Sequence, residues 1–174
     1  MTLMKPIAIS VLLLLFLGST ACSDRGDDRG VPTGDVAAVS AFEDPGGYRA
    51  RLEYPATWTR DPDYDLRFSG PDGFVSIVAQ EGPGGLEGNV EAIAKHKLAP
   101  YGSDPEIESI TVDGANAVVI RPSADQHADL RGQVALVVER ETPMTIRGER
   151  YTYLVIEADS AHFEAIVRSI SLRD

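Results

Sequence analysis

The stretch QVALVVERETPMTIRGERYTYLVIE (133–157) decides the fold. Its two ends, 133–139 and 151–157, are short, near-continuous apolar runs rich in Val, Leu and Ile. Runs of that length and composition match strands, and strands lacking polar alternation are usually central ones covered on both faces. The intervening 141–149 is expected as a loop.

Downstream, Asp159 or Ser160 is placed to cap a helix whose apolar stripe is Phe163, Ile166, Val167 and Ile170. Upstream, 107–112 and 115–121 flank Asp113-Gly114, a strong two-residue hairpin signal. Before them, Leu86, Val90, Ile93, Ala94 and Leu98 recur at helical spacing and stop short of Pro100. Earlier still, residues alternate. Ala50, Leu52 and Tyr54 form one face of a first strand that Pro55 ends; Tyr64, Leu66 and Phe68 suggest a second. The turn SGPDG (69–73) leads to a third, with Val75, Ile77 and Ala79 on one face. The order β-β-β-α-β-β-β-β-α predicts an α+β domain: a mainly antiparallel sheet with a helix on each face.

Several phrases carry a resemblance. YRARLEYPATW (48–58), with its Tyr-Pro-x-x-Trp, is followed by SGPDGFVSIVAQ (69–80), the mid-chain helix, ITVDGANAVVI (110–120) and FEAIVRSISL (163–172). Together they resemble the PsbP-like family of extracytoplasmic αβα-sandwich domains, over about 46–172. The resemblance implies a non-catalytic accessory or binding domain. It supports no photosystem assignment, and no binding residue of the family transfers to a position here.

At the N-terminus, Lys5 precedes the apolar run IAISVLLLLFLG (7–18). At 1.5 Å per residue that run spans about 18 Å, against ~30 Å for a bilayer core, so it reads as the apolar part of a signal peptide (1–21). Small residues Gly18, Ser19, Thr20 and Ala21 then lead to Cys22, the one cysteine in the chain. This resembles the lipobox of bacterial lipoproteins, which implies an acylated Cys22 and a domain held at the cell membrane, facing outside the cytoplasm. Lipoboxes favour Leu where Ser19 stands, and Ser-Thr-Ala also fits ordinary cleavage, which would release a secreted protein. A thiol with no partner for a disulfide favours the lipid. Two or more acyl chains would anchor the protein stably. The Gly- and Asp-rich stretch that follows, within 22–45, is expected as a flexible acidic linker, leaving 46–174 as the globular domain.

The net charge is −11. Residues 1–21 contain one base and no acid, so a chain starting at Cys22 carries 27 acidic against 15 basic residues. Such a surface repels nucleic acid and also anionic headgroups, so a membrane contact needs the lipid. Motifs of nucleotide-binding loops, zinc proteases and serine hydrolases do not occur. Trp58 is expected as a core plug rather than a ligand platform. Asp61, Asp63 and Asp65 lack the Gly and Glu of a calcium loop. Asp125, His127 and Asp129 would need a further strong ligand to hold a transition metal. His96 and His162 are expected on exposed helix surfaces. No cofactor, metal or catalytic residue is assigned.

The function these features imply is a membrane-anchored binding or assembly module. Its partner would be another envelope protein, met through the loops 82–85, 123–132 or 141–149. The alternatives are a small-ligand receptor with a pocket between sheet and helix, and a secreted hydrolase without a recognisable motif.

Overall fold

A computed structural model describes residues 38–44, 46–130 and 132–173. Signal peptide, Cys22 and most of the expected linker lie outside them. The elements run β1 (Val39–Glu43), β2 (Ala50–Pro55), β3 (Thr59–Arg60), β4 (Arg67–Gly70), β5 (Gly73–Gln80) and α1 (Gly85–Ala94). They continue with β6 (Glu106–Val112), β7 (Ala115–Arg121), β8 (Gln133–Ile146), β9 (Glu149–Asp159), α2 (Phe163–Ser169) and β10 (Ser171–Leu172). They build a three-stranded sheet, β1-β2-β10, and a seven-stranded one, β3-β4-β5-β9-β8-β7-β6; every pairing is antiparallel.

The two apolar runs lie at the centre of the large sheet. Val134 to Val138 are each no more than 2% exposed, because successive side chains enter cores on opposite faces. Val134, Leu136 and Val138 join Leu154 and Ile156 in a core shared with Leu52, Trp58 and, from α2, Phe163 and Ile166. Ala135 and Val137 join Val155, Tyr153 and, from α1, Val90 and Ala94. The class is mixed α and β with a mainly antiparallel sheet and two helices among the described residues. The expected helix on each face is not seen in that form: α2 lies chiefly against β2 of the small sheet, which shares the first of these cores.

Four boundaries differ from the sequence expectation. Strand β1 lies inside the stretch expected as linker, where pairing with β2 and burial of Phe42 hold it. The expected loop 141–149 is instead the end of a long hairpin. Arg147 (φ 52°) and Gly148 (φ 87°) make its two-residue turn, and a register shift between Glu139 and Met144 absorbs Pro143. Helix α1 stops at Ala94, leaving Leu98 68% exposed. Strand β4 starts at Arg67 rather than Tyr64, because β3 pairs with it and turns 61–66 into a hairpin loop closed by Asp61 N–H to Arg67 O (2.8 Å).

Because Leu136 is fully buried at the centre of the sheet, Leu136→Ala is expected to cost about 2–5 kcal/mol. In urea unfolding this appears as a lower midpoint at unchanged slope.

Candidate functional site

Strand β5 has unequal neighbours. On one side β9 accompanies it from Val75 to Gln80. On the other, β4 pairs with it from Gly73 to Ser76, and the last contact is Ile77 N–H to Leu66 O at 2.9 Å. Main-chain groups alternate along a strand, so those of Val75, Ile77 and Ala79 point toward β4 and those of Ser76, Val78 and Gln80 toward β9. The hairpin loop 61–66 turns away at Leu66. Among the described residues no strand then stands opposite Ala79.

A groove of about 630 Å³ occupies the place of the missing strand, lined by Leu66, Ile77, Val78 and Ala79 together with Tyr48, Arg60, Asp65, Ile146, Arg147, Glu149 and Tyr151. One wall is the loop between β1 and β2. The Asp44 carboxylate organises it by accepting N–H bonds from Gly46 (2.9 Å), Gly47 (3.1 Å), Tyr48 (3.0 Å) and Arg49 (2.8 Å). Burial alone would raise the Asp44 pKa; the four N–H donors outweigh it and leave the carboxyl below its ordinary value. Gly47, at φ +105°, presses so closely on the Thr145 carbonyl that a Cβ would collide with it.

Adjoining it at Thr145, the tip of the β8–β9 hairpin forms another wall. Arg147 pairs with Asp65 (3.1 Å), Arg60 donates to the Asp65 carbonyl (2.6 Å), and the Tyr151 hydroxyl donates to Glu149 (2.7 Å). Burial, with the nearby Asp65 charge, raises the Tyr48 pKa; the hydrogen bond to Glu149, with burial, raises that of Tyr151. The groove therefore presents two neutral phenols at neutral pH. Its two arginines and two carboxylates balance, in a chain whose net charge is −11.

Of the candidates singled out in the sequence, Asp65 and the 141–149 stretch, through Ile146, Arg147 and Glu149, line this groove; loops 82–85 and 123–132 and the other single residues do not. Trp58 is 4% exposed, stacks on Tyr54, and donates its Nε1–H to Asp72 (2.7 Å), as a core plug does. Asp61 accepts the Asp63 N–H (3.0 Å) while Asp65 pairs with Arg147. Asp125, held at about 2 by hydrogen bonds from Ser103 and Ser123, does not converge with the exposed His127–Asp129 pair. Among the described residues no three potential ligands assemble into a metal site. His96 is exposed.

His162 departs from its expectation. Its side chain is only 24% exposed, with Nδ1 2.8 Å from Asp159, Nε2 3.5 Å from Asp72, and its ring edge-on to Trp58 at 4.9 Å. The signal missed was the carboxylate three residues before it, which also accepts the N–H groups of Ala161 and His162 in the turn before α2; the helix's N-cap is His162 itself, not Asp159 or Ser160. Both ring nitrogens face carboxylates, and no serine hydrogen-bonds to either among the described residues. The arrangement ties α2 to the turn before β5 and to Trp58.

No family model, curated protein or solved structure matches this chain.

Removing the Asp44 carboxylate strands four N–H groups, so Asp44→Ala is expected to cost about 1–3 kcal/mol. Its carboxyl is held lower in the folded protein than in the unfolded chain. The contribution is therefore complete above the unfolded value, about pH 4, and fades as pH falls through the lower folded value. Urea titrations across that range should show a smaller acid-limb loss in the variant than in the parent.

Proposed function

We propose that this chain is an extracytoplasmic binding module, tethered to the cell membrane through acylated Cys22, that engages another envelope protein through the groove beside β5. In this reading the fold is a PsbP-like αβα sandwich, and the domain is an accessory rather than a catalyst. The observation that carries the reading is the stretch of β5 at Ala79, which has no strand partner on the β4 side among the described residues and lines the groove together with Tyr48 and Tyr151. Exposed edges of this kind are ready templates for another chain, and proteins usually cover or charge them. Val78, on the same stretch, is 47% exposed.

The lipid has a physical role in this account. With a net charge of −11, the chain is repelled by anionic headgroups, and among the described residues no helix is long and apolar enough to cross a bilayer. An acylated cysteine would supply the attachment that charge opposes.

A small-ligand receptor is the second reading, because a volume of about 630 Å³ falls within the range of ligand pockets. The groove follows a strand edge instead of lying between sheet and helix, which favours a polypeptide.

A photo-crosslinking residue at position 151, in the chain expressed in its native envelope, tests both halves. The expected result is one discrete crosslinked protein in the membrane fraction, absent when the probe replaces exposed Leu98, with Cys22→Ser moving the chain to the soluble fraction. Equal crosslinking from both positions would refute the groove, and an unmoved Cys22→Ser chain would refute the anchor.

A further inference from the structure

The shape and chemistry of the groove specify its occupant further. Resting on the groove reading above, we propose that it takes an extended peptide segment of the partner protein as an added strand on β5, hydrogen-bonded to the main chain of Ala79 and lodging one apolar side chain between Tyr48 and Tyr151.

The main-chain requirement is explicit. Ile77 makes the last bond to Leu66, and Ala79 is the next residue whose N–H and C=O face the same way. An incoming strand in line with β4 would meet this donor and acceptor at ordinary ladder spacing. This is the strand-addition mode of peptide recognition, in which the backbone supplies affinity and pockets for alternate side chains supply selectivity.

The alternate side chains fall on different surfaces. Ile77 and Ala79 belong to the face packed with the larger core, on which Tyr48, Ile146 and Tyr151 also pack. The incoming residue opposite Ala79 points to that face and meets two aromatic rings and an isoleucine. Its neighbours point to the other face, where Val78 is exposed. The balance of lining charges favours no strongly ionic ligand. Arg147 is already paired with Asp65, Arg60 is bonded to the Asp65 carbonyl, and the lining charges cancel. Among the described residues no bond is made by the main chain of Ala79 on this side, so the complement is main chain. The edge beyond Leu66 spans Val78 to Gln80, about 10 Å at strand rise, which fits a contact of three or four residues.

The test uses the full chain in detergent and a displayed library of random nine-residue linear peptides. Enriched peptides are synthesised and N-methylated at each amide in turn. Strand addition predicts an apolar residue at one fixed position. It also predicts at least a tenfold loss of affinity on N-methylation of a single amide, with little effect at the amides on either side, and a similar loss with Tyr151→Ala. The N-methyl scan needs no protein variant, so misfolding of Tyr151→Ala cannot mimic the result. Tolerance of every N-methyl group, with dependence on Tyr151 retained, would overturn strand addition and leave the groove reading standing. Peptides indifferent to Tyr151→Ala, or no enrichment over blank resin, would overturn both. Competition by a synthetic copy of residues 23–36, or a concentration-dependent dimer that displaces the peptides, would overturn the partner as occupant in favour of the chain itself.

Discussion

The pairing of β8 with β9 is the interaction on which the rest depends. Each strand is apolar on both faces, so each must be covered twice, and the pair serves as a common floor for two cores. Leu136 and Ile156 look into one core, Ala135 and Val155 into the other. Helix α1 is too short to stand alone in water. It is held because Val90 and Ala94 have that second face to bury against. The same logic holds β1-β2-β10 and α2, because Leu52, Phe163 and Ile166 are buried in one cluster with Leu136, Leu154 and Ile156.

The groove follows from how β5 joins this floor. Strand β9 continues alongside β5 to Gln80, whereas β4 leaves at Leu66 because its own hairpin with β3 turns there. The hairpin of β8 and β9 runs past the end of β5 and supplies Arg147, Glu149 and Tyr151 as one wall. Asp44 fixes the other through four N–H groups. Among the described residues, β5 beyond the Leu66 contact is therefore an interior strand that lacks a neighbour on one side for part of its length. Away from the groove, two carboxylate neighbours and Trp58 use His162 to fasten α2 in place.

Much of the fold was legible because burial imposes period on sequence. Ala50, Leu52 and Tyr54 alternate and are buried as their spacing implies. Asp113-Gly114 forms its two-residue turn, both residues at positive φ. The misreadings share a cause, which is that pairing across the chain overrode local pattern. The alternation of Tyr64, Leu66 and Phe68 suggests one strand, but two residues of β3 capture Arg67 onward and leave Tyr64 in a loop. Phe42 is one buried side chain in a polar stretch, and only β2 makes it part of a strand. Arg-Gly at 147–148 is a weaker turn signal than Asp-Gly, so the hairpin tip read as loop. The 141–149 stretch was a candidate contact and does line the groove, but the open edge of β5 was illegible for the same reason. It depends on where β4 ends, and neither Tyr48, Tyr151 nor Ala79 carries a local mark of that.

The open edge of β5 is the central claim, and amide hydrogen exchange on the isolated chain tests it most directly. Val78 N–H faces β9 and Ala79 N–H faces the groove. Val78 should exchange slowly, at a rate close to that of the sheet centre, while Ala79 exchanges orders of magnitude faster, near the rate of an unprotected amide. Equal and strong protection of both amides in the isolated monomer would mean that the edge is already covered, and would contradict the account.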